Sequence, residues 1–87
     1  MERKIVTIAV KDGEDEYTCR VRRPDVATLA RASKIGKADE VLAAQELLKG
    51  CWEDGDNEIL EDGYLMITAA GQLGVLSQGI TAEIKNA

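Results

Sequence analysis

The sequence predicts a small α+β domain, an N-terminal β-hairpin followed by three or four α-helices. Three observations carry that expectation. Residues 16–23, "EYTCRVRR", alternate strictly, with Tyr17, Cys19 and Val21 on one face and Thr18, Arg20 and Arg22 on the other. A turn sequence, "DGED", precedes them, and Gly13 in it can take positive φ without steric cost. Apolar residues at helical spacing fill most of the chain after Pro24. At 87 residues the chain makes a single domain, residues 1–87, with the hairpin at 1–23 and the helical part at 24–87.

The first strand is expected at residues 4–11, "KIVTIAVK", which are rich in β-branched side chains. Pro24 closes the second, because it has no N–H to give to a ladder. Asp25 follows as an N-cap, and Val26, Leu29, Ala30 and Ser33 fall on one face of the helix it starts. Gly36 is placed to stop that helix. A second helix is expected over about residues 38–49, with Val41, Ala44, Leu48 and Cys51 on one face and Gly50 as its end. Asp56 and Asp62 are positioned to cap short helical turns at 57–61 and from Gly63 onward. From Met66 the spacing through Ala69, Leu73, Leu76 and Ile80 is that of a helix-packing seam, opposed by Gly71, Gly74 and Gly79. Residues 80–85, "ITAEIK", also alternate like a strand; helix with a break near Gly79 is the expectation here.

Composition excludes several functions. Phe is absent, so the core must be aliphatic, with Trp52 as its one large piece, expected between the second and third helices. Histidine is absent too, which removes Ser-His and Cys-His nucleophile pairs and imidazole metal ligands. Cys19 and Cys51 sit outside any C-x-x-C motif and are expected as buried, unbridged thiols. The net charge is −5: residues 1–34 carry eight basic against six acidic groups, and residues 35–87 three against ten. An acidic chain repels phosphate backbones, so neither nucleic acid nor an anionic membrane is an expected partner. No N-terminal signal pattern and no long apolar run is present, which predicts a cytoplasmic location.

The stretch "CWEDGDNEILED", residues 51–62, holds six carboxylates within ten positions. As a calcium loop starting at Asp54 it offers Asp54, Asp56 and Glu58 at positions 1, 3 and 5. Position 6 is then Ile59 rather than Gly, and position 12 is Leu65 rather than Glu, so the cage does not close. Paired carboxylates for general acid–base work would need a cleft with aromatic platforms, which this chain lacks. "GQLG" at residues 71–74 lacks the basic surroundings of a nucleic-acid loop, and no phosphate loop ends at Gly36. The expectation is therefore no catalytic, metal or cofactor site. The acidic run reads first as a junction between helices and second as a docking surface built on Glu53, Asp54, Asp56 and Glu58. Arg20, Arg22 and Arg23 make a small basic edge on the hairpin, able to meet the acidic surface of a second copy. The four acidic residues with Arg20 and Arg22, and Leu73, Leu76 and Ile80 of the apolar seam, are the candidate protein-binding set. A two-stranded hairpin is marginal in water, so either helices cover it or its edges pair with another chain.

Three segments carry a resemblance: "YTCRVRRPDVATLARASK", "AAQELLKGCWEDGDNEI" and "AAGQLGVLSQGITAEIKN". The Arg-Arg-Pro hairpin end, the Leu-Leu-x-x-Cys-Trp segment, the acidic Gly-Asp loop and the Gln-Leu-Gly helix together resemble small phage and prophage tail assembly chaperones. The resemblance spans about residues 17–85. It implies a non-enzymatic protein of the bacterial host cytoplasm that keeps the long helical tape measure protein soluble and helps recruit tail tube subunits around it. It implies the short form of a pair made by ribosomal frameshifting, without a cofactor, and self-association would suit the coating of an extended client. The alternative is a structural phage subunit, a head–tail joining or ring-forming component assembling through its hairpin.

Overall fold

A computed structural model describes residues 5–77 and 79–85. Strand β1 (Ile5–Asp12) and strand β2 (Asp15–Arg22) form the expected antiparallel hairpin, with Ile5 opposite Arg22 and Asp12 opposite Asp15. Lys4, with which the expected first strand opens, lies outside the described residues. The loop is the two residues Gly13 and Glu14, and Gly13 alone carries the positive φ, +63°. That is the type II′ requirement, whose twist matches the flanking strands. Ile8, Val10, Cys19 and Val21 are buried on one face, as the alternation requires.

Helix α1 (Val26–Gly36) begins where Asp25 accepts a hydrogen bond from the Thr28 N–H at 2.8 Å. Its buried face corrects the sequence expectation. Val26 is 84% and Leu29 50% exposed, Ala30 and Ser33 are exposed, and Thr28 and Ala32 are buried instead. The reason lies in helix α2 (Glu40–Cys51), which continues through Gly50 rather than stopping there. A Cβ on Gly50 would sit 2.3 Å from Thr28 Cγ2. The two helices approach closely through small residues, and this contact overrides the larger apolar stripe of α1. Helix α1 does end at Gly36 as expected, with Gly36 as its last residue and without a positive φ. Asp39 caps α2, accepting from the N–H groups of Val41 and Leu42 at 3.0 Å each. Leu48 and Cys51 of its expected face are buried, and Val41 is half exposed.

The region after α2 holds the largest departure. Trp52–Gly55 is a third strand, β3, antiparallel to β2 with Val21 opposite Trp52 and Cys19 opposite Gly55. The sheet order is β1-β2-β3, so the helical part of the chain returns one strand to the hairpin. Trp52 belongs to this strand and is only partly buried against the core, rather than the fully buried large piece the composition suggests. Helix α3 (Glu58–Glu61) follows, with Ile59 fully buried, then helix α4 (Gly63–Gly71). Asp62 caps α4, accepting from Tyr64 and Leu65 N–H at 2.9 and 3.1 Å. The Asp56 side chain does not cap α3 and turns to the backbone of β2 instead.

The seam from Met66 is helical only to Gly71, then tightens into a 3₁₀ helix, Gln72–Ser77. Gly71 and Gly74 weaken the α-helix here, and Ser77 Oγ donates to the Gly74 carbonyl at 2.8 Å. The break therefore comes ahead of Gly79, which has φ +86°. Met66, Ala69 and Leu73 are buried, Leu76 is half-buried, and Ile80 is 59% exposed. Residues 80–85 are neither helix nor strand. Cys19 and Cys51 are buried and not joined in a disulfide. Burial pushes the Cys19 thiol above its ordinary value, with Asp56 and Asp54 adding to the effect, so it stays protonated and unreactive.

Candidate protein-binding site

The polar candidates converge on the β2–β3 seam. Arg20 sits opposite Asp54 in the ladder and grips its carboxylate, with Nε 2.9 Å from Oδ1 and 3.1 Å from Oδ2 and a further bond from Nη2. Arg22 Nη1 donates to Glu53 Oε1 in the same way. Asp56 Oδ2 accepts the Thr18 N–H at 2.9 Å, and the Asp56 N–H returns a bond of 2.9 Å to the Thr18 carbonyl. Arg20, Arg22, Glu53, Asp54 and Asp56 thus hold β3 onto the hairpin within one chain. The basic strand face meets acidic groups, but they are its own. The calcium reading is weakened on the same ground, since Asp54 and Asp56 are engaged by Arg20 and Thr18 and Ile59 is buried in the core. Among the described residues no group of three or more metal-ligating side chains is arranged to hold an ion.

The hydrogen bonds and charge of Arg20 hold the Asp54 carboxyl below its ordinary value, while Asp54 raises that of Arg20. A carboxyl whose folded value lies below its unfolded one contributes stability that is present above the unfolded value and lost as pH falls through the folded one. Both groups are more than half exposed, so solvent screening keeps the contribution modest. Asp54→Asn is expected to lower the melting temperature slightly at pH 7. The difference from the parent chain should close below about pH 4, in the carboxylate range. A difference that persists unchanged well into the acid range, at about pH 2.5, would show that the ion pair is not its source.

Glu58 stands apart, in a shallow acidic depression of about 330 Å³ with Asp12, Tyr17, Glu61 and Asp62. The negative charge of Asp15, then burial, then Asp12, Glu58 and Asp62 hold the Tyr17 hydroxyl above its ordinary value.

The apolar candidates converge elsewhere. Leu73, Leu76 and Ile80 line a groove of about 350 Å³ closed on its other sides by Pro24, Leu29 of α1 and Leu47 of α2. The stripe of α1 left exposed by the Thr28–Gly50 contact thus forms one wall. Sequence reasoning found Leu73, Leu76 and Ile80 but not Leu29 or Leu47 as their companions. The only signal for Leu29 was an apolar stripe without an assigned partner. The nine candidates therefore divide into a polar seam that builds the sheet, the isolated Glu58, and a separate apolar groove.

Comparison with known proteins returns nothing to set beside this geometry: no family model, no curated protein and no solved structure matches the chain. Among the described residues, no helix is long and apolar enough to cross a membrane.

Proposed function

We propose that the chain is a non-enzymatic assembly chaperone, the short form of a phage or prophage tail assembly chaperone. Its client is the tape measure protein, held soluble in the host cytoplasm while tail tube subunits gather around it. The observation that carries this reading is the groove walled by Leu29, Leu47, Leu73, Leu76 and Ile80. Its partly exposed aliphatic lining suits the apolar face of a client helix, read through anchors one turn apart. An excess of acidic groups over the rest of the chain favours clients with basic flanks. The motifs of the sequence resemblance supply the identity of that client.

Ile80→Asp and Leu29→Asp test it, because both side chains are at least half exposed and contribute little to the fold. Binding to the tape measure protein is expected to weaken at least about tenfold, the loss of roughly 1.4 kcal/mol or more. The melting temperature should stay within about 2 °C of the parent. Unchanged binding by both variants would remove the groove from the reading. The structural-subunit alternative rests on a different observation, that no described strand pairs with the outer side of β1.

A further inference from the structure

The outer edge of β1 and the segment 80–85 are complementary. β1 is eight residues long and, among the described residues, pairs only with β2, whereas the opposite edge strand, β3, is four residues long with a register shift. Long edges are ordinarily blunted by proline, a bulge or inward charge. β1 has none of these between Ile5 and Val10. In a two-residue hairpin the closing pair, Asp12 and Asp15, is hydrogen-bonded, so the N–H and C=O groups of Ile5, Thr7, Ala9 and Lys11 point away from β2. A cavity of about 260 Å³ runs along this edge, between the strand and Thr68, Gln72 and Val75.

Residues 80–85 supply what such an edge takes. They alternate, with Ile80, Ala82 and Ile84 on one side, and Ile84 is 93% exposed. Six extended residues span about 20 Å, the length of Val6 to Lys11. The molecule measures 56 × 28 × 21 Å, and its radius of gyration of 14.5 Å exceeds the roughly 12 Å of a compact chain of this length.

We propose that residues 80–85 of one copy add as an antiparallel strand to the β1 edge of a second copy. Charge and position select this arrangement over pairing within one chain. Ile80 shares the groove with Pro24, at the end of the hairpin where Ile5 faces Arg22. From there the segment could run beside its own β1 only in parallel. With Ile80, Ala82 and Ile84 beside Val6, Ile8 and Val10, that register sets Lys85 directly against Lys11, a destabilising like-charge pair. The antiparallel register puts Ile80 beside Val10, Ala82 beside Ile8 and Ile84 beside Val6. Glu83 then meets Thr7, Thr81 meets Ala9 and Lys85 meets Ile5, with no like charges opposed. Reciprocal exchange closes a twofold dimer. The association needs no client, but it shares Ile80 with the groove, so dimer formation and client binding draw on the same residue.

Sedimentation equilibrium of the full chain alone tests it. The parent chain is expected to move from monomer to dimer as concentration rises. Glu83→Pro removes an N–H that faces β1 from a segment outside the folded elements, and is expected to raise the dissociation constant at least about tenfold. Ala9→Pro removes an outward N–H from the edge with the same result. A 1:1 mixture of the two is expected to associate where neither does alone, because each retains the half the other lacks. A parent chain monomeric to about 1 mM, the affinity floor of weak pairing, would overturn the proposal. So would undiminished association of Glu83→Pro, or protection of the 80–85 amides in the dilute monomer, which would place the segment on its own chain.

Discussion

Gly55→Ala is expected to destabilise the protein by about 3 kcal/mol or more, as the sum of a backbone and a packing contribution. Gly55 ends β3 with φ +148°, where an L side chain is strained. A Cβ there would lie 2.5 Å from Cys19 Cα and 2.7 Å from the Thr18 carbonyl oxygen, both backbone atoms of β2. Those atoms cannot swing aside as the end of a flexible side chain can. Retreat of β3 would stretch the paired bonds between Asp56 and Thr18 and pull Asp54 from Arg20. The measurement is the urea midpoint at pH 7, with the slope unchanged. A loss below about 1 kcal/mol would mean that β3 is not held at this separation.

Leu48→Ala is expected to cost about 2–5 kcal/mol, the range for emptying a buried leucine site. Leu48 is fully buried on the side of α2 that meets the sheet and α4. For an 87-residue chain whose total stability is on the order of 4–13 kcal/mol, that loss is a substantial share, and at the low end of that range it unfolds the protein. The consequence reaches the groove, because the preceding residue, Leu47, forms its wall. Equilibrium unfolding by circular dichroism gives the value, and a loss near that of a surface substitution would contradict the assignment of α2 as the central core helix.

The parts of the fold that were legible are those whose signal is local. The hairpin follows from period-2 alternation around a glycine turn, and Asp25 and Asp62 cap as short polar residues ahead of apolar runs do. The illegible parts depend on contacts between segments distant in the chain. Trp52–Gly55 has two acidic residues and a glycine in four positions, a poor strand by propensity. It becomes a strand because Arg20 and Arg22, more than thirty positions earlier, meet Asp54 and Glu53. The same distance hid the meaning of Asp56, which satisfies a backbone donor in β2 rather than a helix end. The buried face of α1 was misread because a stripe of larger apolar residues outweighs two small ones in any periodicity argument. The close approach at Gly50 decides for the small ones. The candidate site divides along the same line. Leu73, Leu76 and Ile80 were legible as a seam, and Leu29 and Leu47 joined them only through the crossing of α1 and α2.

The most direct test of a client-binding chaperone is size-exclusion chromatography with light scattering, run on the chain alone and after co-expression with a phage tape measure protein, the client proposed for it. The expected result is a soluble complex of defined mass containing a client that aggregates by itself, built from a small oligomer of this chain. Rings or fibres of this chain alone, with the client left insoluble, would contradict it and favour a structural subunit.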